Sequence, residues 1–119
     1  MTSAYSINRL TVVADAARSA RVRVRLIGEL DCDETERVCS AVAGAIERWA
    51  PAHVALDATG LTFLDSAGIR ALLECRELAE RAGAGLSVEG VSPIVHQVLS
   101  ITELLDHLGV TVTAPTEVL

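Results

Sequence analysis

Two periods of apolar residues alternate along this chain. Arg21-Val22-Arg23-Val24-Arg25-Leu26 switches strictly between polar and apolar, the period of a strand with one dry and one wet face. Upstream, Tyr5 to Val13 mixes β-formers with polar residues and predicts a first strand, followed by a small, polar turn over Ala14 to Ala20. Gly28-Glu29-Leu30-Asp31 ends the second strand. From Thr35 to Trp49 the period changes: Val38, Val42, Ala45, Ile46 and Trp49 mark one face of a helix. Asp33, Glu34 and Glu36 sit at its start, where the helix dipole favours negative charge, and Pro51 stops it.

The second half repeats the scheme. His53 to Ala58 is a short, mostly apolar run, as expected for the middle of a covered sheet. Thr59-Gly60 predicts a turn, after which Leu61, Phe63 and Leu64 anchor the connection to the core. Asp65 to Ala82 carries a helical stripe of Ile69, Leu72, Leu73, the Arg76 stem, Leu78 and Ala79, closed by Gly83 and Gly85. Leu86 to Glu89 alternates as a strand. Ser92-Pro93 opens a helix with a hydroxyl at the N-cap and proline at the first position, and Ile94, Val95, Val98 and Leu99 are expected to face inward. Thr102 begins a last helical turn or two with Leu104, Leu105 and Leu108, ending at Gly109. Val110 to Thr113 reads as a final strand and Pro115 to Leu119 as a tail. Strands alternating with helices give an α/β class, one sheet with helices packed against it. At 119 residues this is one domain, with a core over about residues 5–113 and a short tail at 114–119.

Composition narrows the functions. Sixteen acidic residues against ten basic ones give a net charge of −6, which argues against non-specific nucleic-acid binding. Tyr5, Trp49 and Phe63 are too few for a base-stacking platform. No apolar run approaches the ~20 residues that span a bilayer. Met1 to Arg9 has no basic start leading into an apolar stretch, so no export signal is expected and the cytoplasm is the expected compartment. Cys32, Cys39 and Cys75 are an odd set without C-x-x-C spacing, which predicts free thiols and no zinc site. No cofactor is expected. All ten cations are arginine, and Arg18, Arg21, Arg23 and Arg25 cluster around the second strand. That cluster is either a solvated strand face or a contact for an acidic partner.

The most informative segment is Leu61-Thr62-Phe63-Leu64-Asp65-Ser66-Ala67-Gly68-Ile69, where a buried strand turns sharply into a helix. Asp65 or Ser66 can cap the free N–H groups of the first turn. Ala67 and Gly68 keep the turn slim, so another backbone can approach. Two readings of Asp65-Ser66 stay open: a capping pair, or a cap followed by a phosphoacceptor. A phosphoryl group on Ser66 would add roughly −1.5 to −2 charges, and a helix N-terminus tolerates that.

This segment resembles the signature of the anti-sigma-factor antagonists, the bacterial members of the STAS domain family, whose helix opens with Asp-Ser, a small residue and Gly. Leu26-Ile27-Gly28-Glu29-Leu30-Asp31 is similar to that family's second strand and turn, and Val91-Ser92-Pro93-Ile94-Val95 to its last strand-to-helix junction. The resemblance runs from about Leu10 to Gly109. It implies a four- or five-stranded mixed sheet with helices mainly on one face. It further implies a partner that is both anti-sigma factor and serine kinase, release of a sigma factor, phosphorylation of Ser66 and reset by a serine phosphatase. Asp31 matches the acidic residue beside the site, and Thr62 a position that often carries a hydroxyl. Ala67 replaces a second serine seen in many relatives, and Thr102 stands where relatives often have glycine.

Other classes are less well supported by the residues. A Ser-His-Asp hydrolase would need one of His53, His96 or His107 behind Ser66, but Asp65 is its sequence neighbour and no G-x-S-x-G elbow is present. No Walker loop or G-x-G-x-x-G supports nucleotide chemistry. Such domains also serve as small subunits of lipid-transport ATPases or as scaffolds in stress-signalling assemblies, which stays as the alternative.

Overall fold

The computed structural model describes residues 9–16, 19–101 and 110–112. Their elements are β1 (Leu10–Ala16), β2 (Arg21–Leu30), α1 (Thr35–Trp49), β3 (His53–Leu64), α2 (Ser66–Arg81), β4 (Gly85–Val91), α3 (Pro93–Ile101) and β5 (Val110–Val112). The expectations for Tyr5 to Asn8, Arg18, the 102–109 turn with Leu104, Leu105, His107 and Leu108, and 113–119 lie outside the described residues.

The strands form one mixed sheet in the order β1-β2-β3-β4-β5. β1 is antiparallel to β2, and every other neighbour is parallel. Parallel neighbours need a crossover, here a helix each time, and such crossovers are right-handed. The chain steps across the sheet in one direction, so right-handed crossovers place successive helices on the same face. The core agrees: Val22, Val24 and Leu26 of β2, Val54, Leu56 and Ala58 of β3, Val38, Val42 and Ala45 of α1, Leu72, Cys75 and Ala79 of α2, and Val95 and Leu99 of α3 form one buried cluster.

The arginines stand on the opposite face of the sheet, beside the exposed apolar side chains of Val13 and Ile27. Arg21, Arg23 and Arg25 are exposed while Val22, Val24 and Leu26 between them are buried. Register puts Asp15 of β1 opposite Arg23 and Asp57 of β3 opposite Arg25, and Arg21 bonds Glu89 of β4 at 3.0 Å. Burial pulls the Asp57 carboxyl up, but bonds from Thr59 and the charges of Arg23 and Arg25 outweigh it and hold the carboxyl below its ordinary range. Cross-strand acids thus offset the cations.

Several expectations change where the strands run longer than short-range signals suggest. Ala14 to Ala16 belong to β1, and the turn is confined to its end, with Ser19 and Ala20 at positive φ. Thr59-Gly60 is not a turn but lies inside β3, which carries two bulges. Between Arg25 and Ile27 of β2, β3 advances three residues, from Asp57 to Gly60; between Gly28 and Glu29 it advances two, from Leu61 to Phe63. The Asp57 carboxylate accepts from the Thr59 N–H at 3.0 Å and from its hydroxyl at 2.6 Å, so the local turn chemistry is real but spent on the first bulge. Each bulge shifts the inward phase: Val54, Leu56 and Ala58 are followed by Leu61 and then Leu64. Phe63, expected to anchor the core, is therefore 45% exposed. Ile94, expected to face inward, is 66% exposed in the first turn of α3, while Val95 and Leu99 are buried.

The helix stripes hold with adjustments. α2 buries Ala71 and Cys75 besides Leu72 and Ala79, and leaves Ile69, Leu73 and Leu78 half-buried. Gly83, at φ +77, closes α2, whereas Gly85 starts β4. Ser92 caps α3, its hydroxyl accepting from the Val95 N–H at 3.3 Å.

Gly28 is the glycine on which the β1–β2 pairing rests. Its φ is +114, and a Cβ there would lie 2.1 Å from the Arg9 carbonyl oxygen. Gly28→Ala is expected to lower stability by about 2 kcal/mol or more, read from the urea midpoint at unchanged m-value.

Candidate functional site

The site forms where β3 passes into α2. Asp65 is the N-cap, in extended conformation, and its Oδ1 accepts from the Gly68 N–H at 2.8 Å. Ser66 is thus the first helical residue and not the cap. The Ile69 N–H takes the Asp65 carbonyl at 2.9 Å. Among the described residues no protein acceptor takes the N–H groups of Ser66 and Ala67, which leaves donors at the helix mouth. Ser66 is exposed, Ala67 and Asp65 are half-buried and Gly68 is buried.

Gly68 is buried because α2 enters close to the end of β2. A Cβ on it would meet the Leu30 carbonyl oxygen and Leu64 Cδ1, each at 2.7 Å. The Asp65 N–H reaches the same Leu30 carbonyl at 3.4 Å. This is the close backbone approach that the small residues suggested.

Beside it lies the β2–α1 loop. Asp31 is 8% exposed, and its carboxylate is committed: Oδ2 accepts from Arg9 Nη1 at 3.1 Å and Oδ1 from the Asp33 N–H at 3.0 Å. Glu34, 5% exposed, accepts from the Arg9 N–H at 3.3 Å and from Arg37 at 2.7 Å; Arg37 also bonds the Leu10 carbonyl. Asp31 therefore shapes the loop and presents little surface. Thr62 is exposed on the second bulge, and its hydroxyl donates to the Gly28 carbonyl at 3.1 Å. Of the residues singled out, Asp65, Ser66, Ala67 and Gly68 form one turn, Asp31 abuts it through the loop, and Thr62 braces the strand leading in.

A cleft of about 400 Å³ opens between the starts of α1 and α2, lined by Cys32, Thr35, Ser66, Ala67, Arg70, Ala71 and Glu74. Cys32, Thr35, Arg70 and Glu74 were not among the site residues expected from the sequence. Arg70 and Glu74 follow Ser66 at four-residue steps, so a helical projection from Ser66 finds them; the other two come from a separate element. The Cys32 thiol is pushed up mainly by the Asp33 charge, then by desolvation and by Asp31 and Asp65, so it stays protonated at neutral pH. Desolvation also lifts Cys39, to about 11.

His53 does not serve Ser66. His53 Nε2 meets the Ser87 hydroxyl at 2.9 Å at the start of β3, the far end of that strand from Ser66. Among the described residues no group of three or more His, Cys, Asp or Glu is placed to hold a metal ion, and no helix is long and apolar enough to cross a membrane.

A family model for the STAS domain matches residues 12–117. The chain belongs to the STAS domain family. An anti-sigma F factor antagonist from Paenibacillus polymyxa is 35% identical over 81 residues, 68% of this chain and 69% of that one. The same STAS fold is seen in the anti-sigma factor antagonist SpoIIAA in its unphosphorylated form, with a TM-score of 0.72 at 22% identity over 88% of this chain and 90% of that one. The Bacillus cell fate determinant SpoIIAA in the phosphorylated form gives 0.66 at 21% identity, over 88% and 93%.

The two halves of the Asp65-Ser66 pair separate by substitution. Asp65→Ala removes the cap and is expected to cost about 1 kcal/mol. Ser66→Ala touches no fold contact and is expected to stay within about 0.5 kcal/mol of the parent. Chemical denaturation of both variants checks the contrast.

Proposed function

We propose that this chain is an anti-sigma factor antagonist switched by phosphorylation of Ser66. It binds an anti-sigma factor that has serine kinase activity, and so frees a sigma factor. The kinase then transfers the γ-phosphoryl group of ATP: the Ser66 Oγ–P bond forms, the bond to ADP breaks, and the hydroxyl proton leaves to a base on the kinase. The modified chain is released, and a serine phosphatase resets it. The chain acts in the cytoplasm as a binding partner and is not itself an enzyme.

The observation that carries this reading is the exposed Ser66 hydroxyl at the first position of α2, outside the cap and outside the core. A dianion there sits where the dipole and the spare N–H groups of Ser66 and Ala67 tolerate it, so the fold survives the modification. A partner packed on the same turn meets new bulk and charge. Ser66, Ala67 and Thr62 supply surface to that partner, whereas Asp31, Asp65 and Gly68 hold the turn in place. The antagonist name of the Paenibacillus relative points the same way.

Ser66→Ala is expected to bind the kinase partner but to resist release by ATP, followed by co-elution and intact mass. Ser66→Asp is expected to bind about a hundredfold more weakly, a loss of ~2.7 kcal/mol, while melting within a few degrees of the parent. Peptide mapping that puts the phosphate on another residue, or global unfolding of Ser66→Asp, overturns the assignment.

A further inference from the structure

We propose that Arg70 is the internal partner of phosphorylated Ser66, closing over the phosphoryl group from one helical turn along α2 and holding it in the cleft. This rests on the reading of Ser66 as the phosphoacceptor. Three observations carry it. Ser66 and Arg70 are four residues apart on α2 and line the same cleft. At that spacing side chains are neighbours, with Cβ atoms about 5–6 Å apart. Arg70 is the one cation among the cleft-lining residues, and no carboxylate among the described residues pairs with it. Every other arginine of α2 is paired: Arg76 with Glu80 at 3.1 Å and Arg81 with Glu77 at 3.6 Å. Glu74, the acid one turn further along the cleft, instead takes the Cys39 thiol at 3.3 Å.

The surroundings make that cation matter. Asp65 at the N-cap of α2, Glu74 on α2, and Asp31 and Asp33 with the protonated Cys32 on the β2–α1 loop, flank the site with negative or neutral groups. Those acids oppose the second ionisation of a phosphate, and the guanidinium favours it through charge-assisted, two-pronged hydrogen bonds. Arg70 thereby lowers the midpoint of the second ionisation and draws the phosphoryl group along α2 into the cleft, where it occupies the space a partner would enter. In the unmodified chain no carboxylate among the described residues holds that guanidinium.

The test uses the full chain with phosphoserine inserted at position 66 during translation, so that no kinase is needed. Phosphorus NMR follows the second ionisation, ordinarily near about 6. Arg70→Gln is expected to raise that midpoint by roughly half a unit, and Arg70→Lys to retain most of the parent behaviour. Arg70 is an exposed position, so both variants are expected to fold, as a melt confirms. Midpoints that coincide for the parent and Arg70→Gln overturn the pairing. Separately, a kinase partner that leaves Ser66 of the unmodified chain unlabelled counts against the proposed function and leaves the titration result standing.

Discussion

The backbone of α2 comes so close to the end of β2 that residue 68 has no room for a β carbon: the Leu30 carbonyl and the Leu64 side chain already occupy that space. The contact sets where the first turn of α2 begins, and with it the direction in which Ser66 points. The Asp65 cap alone, worth on the order of 1 kcal/mol, is too weak to hold a helix against the sheet. Leu30, Leu61, Leu64 and Leu72 do that, since each is almost fully buried and burial of such a side chain is worth roughly 1.5–3 kcal/mol. The turn is thus placed from beneath, by apolar residues that take no part in its chemistry. Its outer residues are free to carry a charge.

The winding of the chain decides which surface is left for a partner. Right-handed crossovers in one direction stack the helices on one face and give the other face to solvent. The arginines of β2 stand on that open face with acids across from them, so it has no large excess of one sign. The cleft lies elsewhere, beyond the carboxyl ends of β2 and β3, where two parallel strands hand over to α1 and α2.

Regular and irregular pairing are divided along β3. Its first half is regular and pairs with both neighbours, while its second half carries the two bulges and pairs with β2 alone. The bulges turn Thr62 and Phe63 outward together and bring Leu64 back to the core just before Asp65. Without the second bulge, strict alternation would bring Phe63 inward with Leu61 and send Leu64 outward, and α2 would start without its apolar footing.

What the sequence determined by itself was local. The alternation of Val22, Val24 and Leu26, the helical stripe from Val38 to Trp49, the Ser92-Pro93 start and the Asp65-Ser66 turn all depend on groups within about four residues of one another, and each is legible from the order of the residues alone. The α/β class followed from their succession. The tertiary structure decided the rest because those outcomes depend on partners far along the chain. Whether Asp57-Ala58-Thr59-Gly60 ends a strand or bulges within it is settled by β2 running alongside. Whether Asp31 faces a partner or is tied down depends on Arg9, 22 residues away. The cleft beside Ser66 exists only because the start of α1 is brought against the start of α2, a juxtaposition made by the winding of the sheet and by no motif.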